Sequence, residues 1–138
     1  MKSTVLAVLL AALATACGGD DAAEADASTA PDANVPRGTM SLSFEITQGG
    51  EPATCEDVNA QFVVLSFIDP DEGAGANATG NCSAGEIVSQ EINPGTYNVD
   101  IDLVGPGAAS LLDEPIEQDG VEVQANDDTA LDPVTFEL

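Results

Sequence analysis

Histidine and tryptophan are absent from this 138-residue chain, and only Lys2 and Arg37 are basic. Without imidazole the chain has no side chain whose ordinary pKa sits near neutrality, which excludes most hydrolase mechanisms and the commonest metal ligand. Against 25 Asp and Glu, two cations leave a formal net charge of -23. Nucleic acid and anionic headgroups are bound through clustered Lys and Arg, so nucleic-acid recognition is excluded and any membrane attachment has a source other than charge. Aromatic rings are scarce, at four Phe and one Tyr. No apolar run approaches the roughly 20 residues that a membrane-spanning helix needs. The length allows one domain of ordinary size and not two.

What is present starts with an address. After Met1 and Lys2, residues Val5 to Ala16 are Val, Leu and Ala with one Thr, too short to span a bilayer and right for the core of a secretion signal. The sequence Leu13-Ala14-Thr15-Ala16-Cys17 that ends it resembles the lipobox of bacterial lipoproteins. There, signal peptidase II cuts before a cysteine that carries the lipid. The pattern departs from the family in placing Ala14 three positions before the cysteine, with Leu13 one position earlier. Ala14-Thr15-Ala16 also satisfies the small-x-small site of signal peptidase I, whose cut at the same bond would release a soluble protein. Cysteine number favours lipidation, because three is odd and acylation uses the unpaired Cys17. Gly18, where Asp would signal inner-membrane retention in the Gram-negative sorting rule, implies an outer-membrane address by the same resemblance. An acyl anchor tolerates the anionic surface, since each buried methylene contributes about 0.8 kcal/mol.

From Gly18 to Pro36 the residues are almost all Ala, Asp, Gly, Ser, Thr, Glu and Pro. They offer too little apolar area to offset ordering entropy, which predicts a disordered tether of about 24 Å between ends. The organisation expected is a signal segment over 1–16, the anchor cysteine and acidic linker over 17–37, and one folded domain over 38–138.

That domain carries 20 of the carboxylates and no Lys, Arg or His. Met40, Leu42, Phe44 and Ile46 alternate with polar residues, as a half-buried strand does. Gln61 to Ile68 is apolar on both parities and β-branched or aromatic, which predicts a central strand packed on both faces. Further strands are expected at 86–92, 96–104, 121–125 and 134–138, separated by Pro-Gly and Asn-Asp turns. About seven short strands without helical periodicity predict an all-β fold, an antiparallel β-sandwich of prealbumin-like or immunoglobulin-like type. Asn93-Pro94-Gly95-Thr96-Tyr97-Asn98-Val99-Asp100-Ile101 resembles the Pro-Gly-x-Tyr-x-Val turn and strand of prealbumin-like sandwiches, including carboxypeptidase regulatory-like and Cna B-type domains. In physical terms Pro94 presets the turn, Gly95 permits positive φ, and Tyr97 buries its ring while its hydroxyl seeks a backbone partner.

Among chemistry-bearing groups, Cys55 and Cys82 suit a disulfide in an exported domain. A catalytic thiol would need a neighbouring base or cation to lower its pKa, and residues 38–138 contain none. Asp69, Asp71 and Asn77 place oxygen ligands at alternating spacing, a weak calcium candidate. The segment departs from the EF-hand loop at Gly73 and at Gly80, which stands where a bidentate Glu belongs. No cofactor is expected. The function expected is a non-enzymatic, membrane-anchored structural or binding module of the cell envelope. Its membrane partner is reached through Cys17, and its protein or carbohydrate partner and oligomeric state are left open. An accessory binder of calcium or carbohydrate is the alternative, and a carboxylate-based hydrolase comes third.

A domain whose ionised groups are all negative folds against its own repulsion. Sodium chloride is therefore expected to raise its melting temperature by screening over a Debye length of about 10 Å at 0.1 M, with calcium adding only what its valence adds to screening. Thermal unfolding followed by circular dichroism across a salt series checks this. A melting temperature that falls with salt would contradict it.

Overall fold

The structure is a computed structural model and describes residues 35–138; the expectations for the signal segment, Cys17 and most of the linker lie outside the described residues. The described chain is mostly β. Its strands are β1 (Thr39–Gln48), β2 (Glu51–Pro52), β3 (Phe62–Ile68), β4 (Gly75–Asn81), β5 (Glu86–Val88), β6 (Gly95–Val104), β7 (Ile116–Val123), β8 (Asp128–Ala130) and β9 (Val134–Glu137). Short 3-10 turns at Cys82–Ala84 and Pro106–Ala108 are the helical elements among the described residues.

Two sheets result. In the first, β1 is the spine: β5 and β2 pair antiparallel along one side, and β8 and β9 pair along the other. β8 and β9 run parallel to β1, so this sheet is mixed where an antiparallel one was expected. The second sheet has the order β4-β3-β6-β7 and is antiparallel throughout. Alternation decides the inner faces, because successive side chains point to opposite sides of a strand. Met40, Leu42, Phe44 and Ile46 of β1 are buried together with Val63, Leu65 and Phe67 of β3, Val99, Ile101 and Leu103 of β6, and Phe136 of β9. The Phe44 and Phe136 rings meet at 5.7 Å between centroids in a tilted arrangement, with 60° between their planes.

β3 is central in its sheet, but it is not covered on both faces. Phe62 and Ile68 on its outer side are 41% and 40% exposed. The apolar run therefore reports one core face plus an open apolar stripe.

β4, Gly-Ala-Asn-Ala-Thr-Gly-Asn, has little intrinsic β preference, and it is not among the strands expected from the sequence. Its pairing with all seven residues of β3 supplies the order. The inner side chains of β4 are small because β5 closes over them. A Cβ added to Gly80 would lie 2.8 Å from Cγ1 and 2.9 Å from Cβ of Ile87. β7 begins five residues earlier than the Val121 expected from the sequence. Gln118 faces Val99 and Val121 faces Tyr97, so Asp119 and Gly120 together oppose Asn98 in a bulge. Gly120 there has a φ of 69°, a conformation that costs glycine nothing. The bulge flips the alternation and hides the first half of the strand.

The edge of the first sheet is clasped at β8. The hydroxyls of Thr39 and Ser41 each donate to the Asp128 carboxylate at 2.6 Å. The Ser41 bond and then the Thr39 bond hold that carboxyl below the usual aspartate pKa, against a small opposing effect of burial. A depressed folded-state pKa means that the contribution is fully present at neutral pH and is lost as pH falls through the lowered value.

The contact of Gly80 with Ile87 yields a prediction. Gly80→Ala forces the two sheets apart at this edge and is expected to destabilise by about 1–3 kcal/mol, and Ile87→Ala in the same chain is expected to recover part of that loss. Urea unfolding of the two single variants and the double variant measures the coupling. Additive losses would contradict the contact.

Candidate functional site

The structure forms two concavities along the length of β1. At the start of the strand lies a cleft of about 410 Å³ lined by Arg37, Asp69, Glu72, Glu91, Asn93 and Tyr97 among others. The β3–β4 connection delivers Asp69 and Glu72. It is a tight loop in which the Asp69 N–H donates to the Ala74 carbonyl at 2.9 Å and the Gly73 N–H donates to the Asp69 carbonyl at 2.8 Å. The Asp69 carboxylate closes the same turn, accepting the N–H groups of Asp71 at 2.8 Å and Glu72 at 3.2 Å. The β5–β6 connection brings Glu91 and Asn93, and β6 brings Tyr97. The Tyr97 hydroxyl donates to the Asn93 carbonyl at 2.9 Å, the kind of backbone partner expected for it. Its pKa is raised above the ordinary phenol value, first by burial and then by the negative charges of Asp69 and Glu72. It therefore remains a neutral donor. Gly95 in the adjoining turn is not among the residues with positive φ, so the freedom expected of it goes unused.

The cleft gathers three carboxylates and the one cation of the described residues around a tyrosine already spent on structure. Its lining holds no Ser, Thr, Cys or His to act as nucleophile beside a base. Sequence reasoning singled out Asp69 and Tyr97 but missed Glu72, Glu91 and Arg37, which no spacing rule connects. The β3–β4 hairpin, the β5–β6 connection and the segment before β1 bring them to one rim.

The calcium candidates are not brought together. Asp69 has one carboxylate oxygen committed to the loop, Asp71 is exposed on that loop, and Asn77 stands mid-strand in β4 opposite Ser66. Gly75 and Ala76 separate Asn77 from the loop, so that it stands about 10 Å along the strand from Ala74. Among the described residues no group of three or more His, Cys, Asp or Glu forms a metal-binding cluster.

Toward the other end of β1, a more apolar groove of about 650 Å³ is lined by Phe44, Ile46, Pro52, Ala53, Cys55 and Cys82 among others. Its wall is the Cys55–Cys82 disulfide, with Cα atoms 6.0 Å apart. Cys55 rides on a loop shaped by Thr54, whose backbone N–H and hydroxyl donate to the Asp57 carboxylate at 2.9 and 2.6 Å. These bonds hold the Asp57 pKa low. Cys82 opens the 3-10 turn after β4, where the Asn81 side chain accepts the Ser83 N–H at 3.1 Å and Gly85 closes the turn at a φ of 72°. The bridge thus fastens the loop before β3 to the end of β4.

Comparison with known proteins adds little to this geometry. No protein-family model matches the chain, and no curated protein matches it. Among solved structures, the chain is similar over 76% of its length to a leucine-rich repeat protein from Bacteroides thetaiotaomicron, at 17% identity and a TM-score of 0.45. It spans 14% of the length of that protein.

Opening the 27-residue disulfide loop releases the unfolded chain. Replacing both Cys55 and Cys82 by Ala is expected to lower stability by about 3–4 kcal/mol on the chain-entropy view. Urea unfolding with and without reductant measures this. Equal midpoints for the oxidised and reduced wild type would contradict it.

Proposed function

We propose that this chain is a lipid-anchored, non-enzymatic module of a bacterial cell envelope, held to the membrane through acylated Cys17 and presenting a prealbumin-like β-sandwich. The observation that carries the reading is the run Leu13-Ala14-Thr15-Ala16-Cys17, followed by a linker in which Val35 is the one large aliphatic residue and which leads into the spine strand. The way the chain enters the fold supports it. Gly38 is buried and bridged to Ile92, with its N–H donating to the Ile92 carbonyl at 3.0 Å and its carbonyl accepting the Ile92 N–H at 2.9 Å. A Cβ on Gly38 would lie 2.2 Å from the Gln124 carbonyl oxygen, so the chain is gripped where the linker ends. A pull along the linker then falls on β1, which is paired on both sides.

A second reading, an accessory ligand-binding domain, is favoured by the cleft of Asp69, Glu72 and Glu91 beside Arg37. It has less support, because the carboxylate of Asp69 is used within its own loop. Lipid anchoring is compatible with either role.

Expression of the wild type and Cys17→Ser in a Gram-negative host tests the proposal. The wild type is expected to fractionate with membranes and to begin at an acyl-bearing Cys17 by mass spectrometry, and Cys17→Ser to be soluble. Two soluble proteins, with no acyl mass on the wild type, would overturn it.

A further inference from the structure

We infer that two copies of the chain associate by pairing their β4 strands edge to edge, which continues the four-stranded sheet across a two-fold axis. The argument starts from hydrogen-bond direction. The Cys82 N–H donates to Gln61 at 3.0 Å and the Asp69 N–H donates to Ala74 at 2.9 Å, and between these ends β4 and β3 stay in unbroken register. In an antiparallel ladder bonded pairs alternate with unbonded ones. Ala76, Ala78 and Gly80 therefore exchange their backbone bonds with β3, and the N–H and C=O groups of Gly75, Asn77, Thr79 and Asn81 point away from it. Among the described residues no backbone partner meets Asn77 or Thr79 on that side.

Folded proteins defend such edges with charge, bulges or proline. This molecule does so at its other edges. β7, the opposite edge of the same sheet, carries Glu117, Asp119 and Glu122 and the bulge at Gly120. In the first sheet β2 has Glu51, β5 has Glu86, β8 has Asp128 and β9 has Glu137. β4 has no charge, no proline and no bulge. Nothing ionises between Glu72 and Glu86, nor in its neighbour β3.

The occupant follows from the charge pattern. A second copy is repelled by every carboxylate-bearing surface, and β4 is the edge where two copies meet without setting carboxylates face to face. Antiparallel pairing about Ala78 matches the strand with itself over its full length. Asn77 then opposes the partner's Thr79, Gly75 opposes the partner's Asn81, and each such pair exchanges both backbone bonds. The small outer side chains permit the close approach. The remaining acidic surfaces still repel, so the association strengthens with salt. A basic strand from another protein, the competing occupant, would be held less tightly as salt rises.

Sedimentation velocity of the full chain carrying Cys17→Ser removes acyl chains and stray disulfides from the measurement. The expected result is a monomer–dimer equilibrium between micromolar and millimolar protein that shifts toward dimer from low salt to about 0.5 M sodium chloride. Thr79→Pro removes an outward N–H that the monomer does not use, and is expected to give a monomer with unchanged circular dichroism. Asn77→Asp with Thr79→Asp leaves the backbone intact, sets like charges opposite one another across the axis, and is expected to weaken the dimer at least about tenfold. A wild type that stays monomeric throughout, or a dimer that persists in the folded double-Asp variant, would overturn the inference.

Discussion

Electrostatic repulsion of a single sign is the condition to which the rest of this fold answers. With 20 carboxylates and no cation beyond Gly38, no internal ion pair is available to the domain. Cohesion falls to the apolar face shared by the two sheets, the backbone ladders and one covalent bridge. The carboxylates serve where they have a nearby hydroxyl or N–H to accept: Asp128 across β1 and β8, Asp57 at Thr54, and Asp69 in its own loop. These neutral donors replace the salt bridges that a mixed-charge protein would place on its surface, and hydrogen bonds to an ionised acceptor are stronger than those between neutral groups.

The same condition divides the surface. The outer face of the second sheet has two halves, with Asp100, Asp102 and Glu117 on β6 and β7, and uncharged residues on β3 and β4. Asp100 stands directly opposite Glu117, a like-charge pair that costs stability. The chain carries that cost in one half while leaving Phe62 and Ile68 exposed in the other. Exposed large apolar residues on an otherwise highly charged body are where contact with another surface is least opposed.

Much of this architecture is legible in the sequence because the core strands announce themselves. The alternation from Met40 to Ile46 locates the spine, the odd-numbered residues from Tyr97 to Leu103 locate its counterpart, and the cysteine count leads to the observed bridge. What escapes has specific causes. β4 consists of Gly, Ala, Asn and Thr, and its strand character comes from β3 rather than from itself. In β7 the extra residue at Gly120 inverts the parity, so the period of two breaks in its middle. The two apolar parities of β3 look like double burial, although one of them faces out. Parallel pairing of β8 and β9 with β1 leaves no local signal, since it joins segments far apart in the chain. The cleft residues Glu72, Glu91 and Arg37 are hidden for the same reason.

That pairing has a consequence for the order in which the protein forms. Thr39 and Asp128, joined by a hydrogen bond, lie 89 residues apart, and the parallel contacts of Phe44 to Thr47 with Val134 to Glu137 span a similar distance. Among the described residues the spine strand has no partner on that side until β8 and β9 are present. Contacts of such long sequence separation slow folding, because the entropy of closing the intervening loop is lost before the contacts form. A chain that emerges from its amino end first thus holds β1 incomplete on that side until β8 and β9 have followed it.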